Sequence, residues 1–177
     1  METRLPRLTA PPLAGGVREG ISVRRAAVED ALAIAGLIRQ AWASRVAADS
    51  SGHRETADKV RADLEKGLGW VALDGEKIVA TVRMTPHPAQ ACVCEIKKLA
   101  VLPEYRKQGI GPRLLKLLER EAKAQGIREI RLGVRHDQPR LVEWYASLGY
   151  VHDPALGYSS PNPLTPPPFV LYKEVTT

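Results

Sequence analysis

Apolar and polar positions alternate with two different periods along this chain, and the changes of period mark where one element ends and the next begins. Residues 21–27, ISVRRAA, alternate with period two and predict a strand. Residues 28–45, VEDALAIAGLIRQAWASR, switch to helical spacing, with Leu32, Ala35, Ile38 and Trp42 on one face. RETADKVRADLEKG predicts a second helix, stopped at Gly67. Two strands follow in GWVALDGEKIVATVRMTP, joined at Asp74-Gly75, a pair suited to a tight hairpin. ACVCEIKKLAVLP is a long strand of small and β-branched residues, halted by Pro103. PRLLKLLEREAKAQG is a helix with Leu114, Leu118 and Glu121 at successive turns and Gly126 as its C′ residue. EIRLGVR predicts a strand, and QPRLVEWYASLG a helix with Leu141, Trp144, Tyr145 and Leu148 at i, i+3, i+4 and i+7. YVHD and FVLYKEV are closing strands. The order β-α-α-β-β-β-α-β-α-β-β predicts an α/β (α+β) domain, a mixed sheet flanked by helices.

Composition adjusts this picture at the edges. The 177 residues suit one domain, over 21–177, behind a Pro/Gly-rich segment at 1–20 expected to be flexible. The longest apolar run, ALAIAGLI at 31–38, is too short to cross a bilayer, and the first 20 residues lack the central apolar block of a secretory signal. A cytoplasmic protein without membrane partners is the expectation. Cys92 and Cys94 lie two apart on one strand, point the same way and do not bridge. His53, His87, His136 and His152 are scattered, so no metal site is expected. His136-Asp137 and His87 are taken as loop polarity and a rigid turn. The net charge of +6 fits nucleic acid or a small polyanion. The basic residues are dispersed and aromatics are only 5%, which argues against a nucleic-acid partner. The proline-rich PALGYSSPNPLTPPP, 154–168, is too long for an idle connection in a compact domain and is expected to be functional.

The stretch YRKQGIGPRLL, 105–115, concentrates special residues at one helix entrance. A helix N-terminus carries unpaired N–H groups and partial positive charge, a natural seat for phosphate. Gly109 and Gly111 allow a tight turn and close approach of a ligand, while Arg106, Lys107 and Arg113 add cationic charge suited to a diphosphate. Pro112 removes one N–H from that turn. The third glycine of a dinucleotide fingerprint is missing, and no phosphate-binding G-x-x-x-x-G-K-[ST] occurs. On the turn alone, phosphate binding and a purely structural strand-to-helix turn stand about even.

The setting goes further. A strand ending in LAV, then R-x-x-G-x-G, then a leucine-rich helix resembles the signature of the GNAT N-acetyltransferase superfamily, as does the later Y-x-x-x-G-[FY] from Tyr145 to Tyr150. The resemblance spans roughly residues 21–175. It implies a mostly antiparallel sheet of six to seven strands with a central, splayed parallel pair and about four helices. It implies acetyl-CoA as co-substrate, no metal, and a small-molecule or peptide amine as acceptor; dimers are common among such proteins. The backbone of Leu99, Ala100 and Val101 would pair with the pantetheine arm. Amides from Gln108 through Gly109 and Ile110 to Gly111, with Arg106, Lys107 and Arg113, would hold the pyrophosphate. Gln138 stands where such proteins often have asparagine as a coenzyme contact.

An alkylamine with a pKa near ~10.4 must lose a proton before it attacks a thioester. Glu95 shares strand parity with Leu99 and Val101, and its six-residue distance from Val101 resembles the spacing of a catalytic glutamate in some members. The residues alone equally allow a strand glutamate paired with Lys97 or Arg83. By resemblance, the Leu99 amide would stabilise the developing oxyanion and Tyr145 would protonate the departing thiolate. From pattern alone Tyr145 is as consistent with core. A non-catalytic acyl-CoA-binding or sensor module is the alternative of a different class. The loops VAADSSGHRE and PALGYSSPNPLTPPP, with Asp49, Glu55, Tyr158 and Asn162, are where acceptor specificity would lie.

Overall fold

The structure is a computed structural model that describes residues 19–43 and 45–176. The segment expected to be flexible at 1–20 falls outside the described residues except for Glu19 and Gly20, which form a turn with Gly20 at φ 97°. Among the described residues the strands are β1 (Ile21–Arg25), β2 (Leu68–Asp74), β3 (Lys77–Pro86), β4 (Val93–Val101), β5 (Glu129–Val134), β6 (Val151–His152) and β7 (Phe169–Glu174). The α-helices are α1 (Ala31–Trp42), α2 (Ala57–Lys66), α3 (Ile110–Ala124) and α4 (Pro139–Ser147), in the expected order. The sheet runs β1-β2-β3-β4-β5-β7-β6, and only β4 and β5 pair in parallel.

Local chemistry accounts for the boundaries. Gly75 takes φ 60° in the β2–β3 hairpin. Gly126, at φ 77°, closes α3: Ile127 N–H donates to Ala122 O and Gly126 N–H to Lys123 O, both at 3.0 Å, the double bond of a Schellman cap. Thr56 caps α2, its hydroxyl accepting from Lys59 N–H at 3.3 Å. In α1 the buried stripe is Ile34, Ala35, Leu37, Ile38 and Ala41; Leu32, expected on that face, is 72% exposed. The stripe that touches the sheet is set one position away from the one the spacing suggested.

Cys94 is buried, whereas Cys92 is exposed at φ 60° just before β4 begins, so the two thiols do not share a face. Burial pushes the Cys94 thiol up to about 11, with Glu95 adding to the effect.

Period-two alternation sorts the two faces of the sheet. Arg83 of β3 reaches Asp63 of α2. Val101, paired with Ala80, lies within 4.0 Å of a Cβ built on Gly111 of α3. Residues 80 and 83 are an odd number apart, so α2 and α3 cover opposite faces.

Candidate active site

β4 and β5 pair at only three registers, Val93–Glu129, Cys94–Ile130 and Glu95–Arg131. Both strands then continue without pairing to each other, and among the described residues the edge of β4 that faces β5 has no ladder partner from Ile96 to Val101. The opening is a cleft of about 850 Å³, lined by Leu99, Ala100 and Val101 on one side and by Leu132 to Arg135 on the other. Its far wall is α4: Leu141, Trp144 and Tyr145 all line it, so the stripe that resembled core faces the opening.

The glycine turn forms the cleft's end. Lys107 (φ 58°) and Gly109 (φ 74°) both adopt left-handed backbone, and Gly109 is the N-cap of α3 without a side-chain cap. The main-chain N–H groups of Lys107, Gly109, Ile110 and Gly111 find no acceptor among the described residues, while Gln108 N–H closes the turn over Arg106 and Lys107. Alternating left-handed residues turn successive amides toward one concavity, an arrangement that accepts an anion. A Cβ on Gly111 would be 3.7 Å from Trp144, so the protein itself tolerates it; what the missing side chain leaves is room in the cleft.

The cationic side chains around this turn divide. Lys107 is exposed and lines the cleft. Arg106 also lines it, but its guanidinium donates to Val101 O at 3.0 Å and to Ala41 O at 2.7 Å. It straps the end of β4 to the end of α1, and burial lowers its pKa. Arg113 turns away, donating to Ile21 O at 3.3 Å, and is absent from the cleft wall. The expectation that it adds charge at the rim is therefore corrected. The Gln108 side chain folds back onto Glu104 O at 3.0 Å and leaves its own amide oxygen buried without a partner. Gln138, at the N-cap of α4, does line the cleft.

Glu95 departs furthest from expectation. Thr81 pairs with Ala100 but Arg83 with Lys97, so β4 carries one extra residue there, and Lys98 sits at φ 55°. This bulge breaks the parity on which Glu95 was aligned with Val101. Glu95 pairs with Thr85 and shares the face of Arg83, over which α2 packs; Val101 faces α3. Two adjacent lysines, Lys97 and Lys98, breaking the alternation of the strand were the available signal. Glu95 is fully buried: Ser159 donates to it from both N–H (3.0 Å) and hydroxyl, and Lys97 Nζ lies 3.4 Å away.

The loop that carries Ser159 was anticipated as functional, and it folds over this face. Tyr158 donates its hydroxyl to Ile96 O at 3.1 Å, Lys97 Nζ donates to Ser160 Oγ at 2.8 Å, and Asn162 donates to Asp49 O at 2.8 Å. The two segments expected to set specificity thus meet through Asn162 and Asp49. Arg83, 1% exposed, is held by Asp63 and Glu55; its role was not legible beforehand. Lys98 was missed as well.

Tyr145 is 9% exposed, packed edge-on against Trp144 at 4.8 Å and Tyr150 at 5.7 Å. Its hydroxyl has no hydrogen-bond partner among the described residues. Burial pushes the phenol well above its usual range, so it stays protonated at neutral pH. His136 and Asp137 do not act as a pair, because Asp137 is bound by Arg135 at 3.0 and 2.9 Å. Among the described residues no cluster of three His, Cys, Asp or Glu could hold a metal ion, and no helix is long and apolar enough to cross a membrane.

A splayed parallel pair with a glycine-turned helix entrance at its mouth is the architecture of acyl-CoA-dependent acetyltransferases. The sequence pattern of the GNAT acetyltransferase family matches residues 36–150, and the chain belongs to that family. It is 28% identical over 152 residues to a mycothiol acetyltransferase of Paenarthrobacter aurescens, covering 77% of this chain and 44% of that protein. It is 31% identical over 103 residues to N-acetyltransferase 8B of Rattus norvegicus, covering 55% and 46%. The chain thus spans less than half the length of these relatives. Among solved structures, the PaiA N-acetyltransferase of Thermoplasma acidophilum, in complex with coenzyme A, superposes with a TM-score of 0.70 at 20% identity, covering 87% of this chain and 98% of that one. The ribosomal-protein-S18-alanine N-acetyltransferase of Escherichia coli does so at 0.68 and 18%, covering 89% and 95%.

Proposed function

We propose that residues 21–177 form one catalytic domain that transfers an acetyl group from acetyl-CoA directly to a primary amine. The observation that carries the reading is the set of main-chain amides at Lys107, Gly109, Ile110 and Gly111, without acceptors among the described residues, at the mouth of the open β4 edge. Such amides fit a diphosphate without any side chain, and Lys107 adds charge at the rim. The β4 backbone at Leu99, Ala100 and Val101 receives the pantetheine arm as an added strand would be received. Bound there, acetyl-CoA supplies an activated thioester carbonyl. The Leu99 amide is the donor for the charge that collects on its oxygen.

The Tyr145 hydroxyl, unpartnered and protonated, donates to the departing sulfur. Glu95, which is not among the residues that line the cleft, takes the proton from an amine that approaches from the face covered by α2. Ser159 covers its carboxylate in the present arrangement, so proton uptake requires the loop at 158–160 to withdraw.

Thiol release from acetyl-CoA over a panel of amines, peptides and polyamines tests the reading. Amine-dependent release well above the hydrolytic background is the expected result. Calorimetric binding of coenzyme without turnover on any amine would instead indicate a non-catalytic acyl-CoA-binding module.

A further inference from the structure

The sheet face shared by Arg83, Thr85 and Glu95 buries two charges, Arg83 and Glu95, and both are matched. Arg83 is held by Asp63 at 3.1 and 3.2 Å and by Glu55 at 3.4 Å. Glu95 is held by Ser159 and by Lys97. Lys98 is different. Its ammonium meets the Ser51 hydroxyl and stands 5.0 Å from the centre of the Trp42 ring, and no described carboxylate lies within ion-pair distance of it.

Lys98 occupies the bulge immediately before Leu99, and together with Trp42 it lines the cleft. Its contact with Ser51 aims it toward the segment between α1 and α2, away from the glycine turn. Burial pushes it down to about 8, against the pull of Glu55. A half-buried ammonium whose contacts among the described residues are a hydroxyl and a ring face lacks the carboxylate that usually compensates such burial.

The rest of the cleft wall carries the same sign. Arg45, Arg106, Lys107, Arg135 and Arg140 line it, and Asp137, the acid among the lining residues, is already bound by Arg135. A coenzyme diphosphate at the glycine turn accounts for Lys107, and Arg106 is spent on Val101 O and Ala41 O, but Lys98 is left without an anion. A polycationic acceptor would meet like charge here.

We propose that the acceptor bears a carboxylate beside its amine, as an amino acid does, and that Lys98 and the Ser51 hydroxyl receive that carboxylate. The proposal rests on the acetyltransferase reading and adds its substrate class. The Ser51 hydroxyl can accept from Lys98 while donating to the carboxylate. A charge-assisted pair in a partly dry site selects for the acid-bearing amine and against its decarboxylated counterpart.

Matched pairs test this: phenylalanine with phenethylamine, leucine with isoamylamine, and methionine with 3-(methylthio)propylamine, each assayed with acetyl-CoA. Wild type is expected to favour the amino acid in whichever pair turns over. Lys98→Met should lower that preference at least about tenfold, and Lys98→Arg should restore part of it. Ser51→Ala, which leaves the bulge untouched, should lower it about threefold or more and serves if Lys98→Met does not fold. A wild-type preference for the decarboxylated amines, or a preference that these variants leave intact, overturns the proposal. If coenzyme binds but no amine is acetylated, the transferase reading fails by itself. The carboxylate site is then judged by titrating the N-acetylated members of each pair into protein saturated with coenzyme A. Tighter binding of the N-acetylamino acids, lost in Lys98→Met, sustains it; equal affinity in wild type overturns it.

Discussion

Replacing Tyr145 by Phe removes a single oxygen from the cleft. That oxygen has no hydrogen-bond partner among the described residues, and the ring keeps its edge-on contacts with Trp144 and Tyr150. The change in folding stability should therefore stay within about 0.5 kcal/mol. The effect on rate is set by the leaving group. A thiol with a pKa near ~8.5 departs more readily than an alcohol, so a proton donor contributes toward the low end of the usual range. We expect kcat to fall about 10- to 100-fold, which is ~1.4–2.8 kcal/mol of transition-state stabilisation. KM for the amine should barely move, since the bond to sulfur strengthens only as the sulfur gains charge. Because burial raises the phenol's pKa, the ratio of wild-type to variant rates should be flat with pH across the neutral range. Initial rates of thiol release at saturating substrates, with thermal melting of both proteins, make the measurement. A kcat within about twofold of wild type would remove Tyr145 from the chemistry. A lost rate matched by a lowered melting temperature would assign it to packing.

Glu95→Gln preserves shape and one of the two acceptor positions that Ser159 uses but cannot take a proton. Turnover should fall about 100-fold or more at neutral pH, and the variant's rate should climb about tenfold per pH unit as free amine accumulates. A pH profile parallel to wild type would exclude Glu95 as base. Arg83→Met strands Glu55, whose side chain is 3% exposed, and should lower stability by about 3–5 kcal/mol in chemical denaturation; a loss under about 1 kcal/mol would mean the pair contributes little. Gly111→Val should weaken coenzyme A binding at least about tenfold in calorimetry by filling the space beside the glycine turn. Arg113→Ala, whose guanidinium lies on Ile21 O, should leave that affinity unchanged.

The elements were legible because each rests on local chemistry: Gly75 in its hairpin, Gly126 in its cap, and the period-two strands between them. The glycine turn was legible for the same reason, since left-handed backbone at Gly109 is a property of the residue itself. Long-range ties left no such trace. Nothing in the spacing of Arg106 or Arg113 says that one guanidinium straps Val101 to Ala41 while the other seeks Ile21. The bulge at Lys98 undid a parity argument that assumed an unbroken strand. The cover that Ser159 places over Glu95 joins residues 64 apart in sequence. Leu32 is exposed because the sheet, rather than the helix's own periodicity, decides which stripe is buried.

The three-register seam between β4 and β5 has a mechanical consequence. β1 to β4 carry α3, β5 to β7 carry α4, and beyond the seam the two plates are tied on one face by the loop of Tyr158 to Ser160 and on the other by Glu119 of α3, which accepts from both the Tyr150 hydroxyl and Lys173 Nζ at 2.9 Å. A molecule wedged along the open length of β4 supplies the mortar that the backbone omits. Loading the cleft should therefore stiffen the joint between the plates.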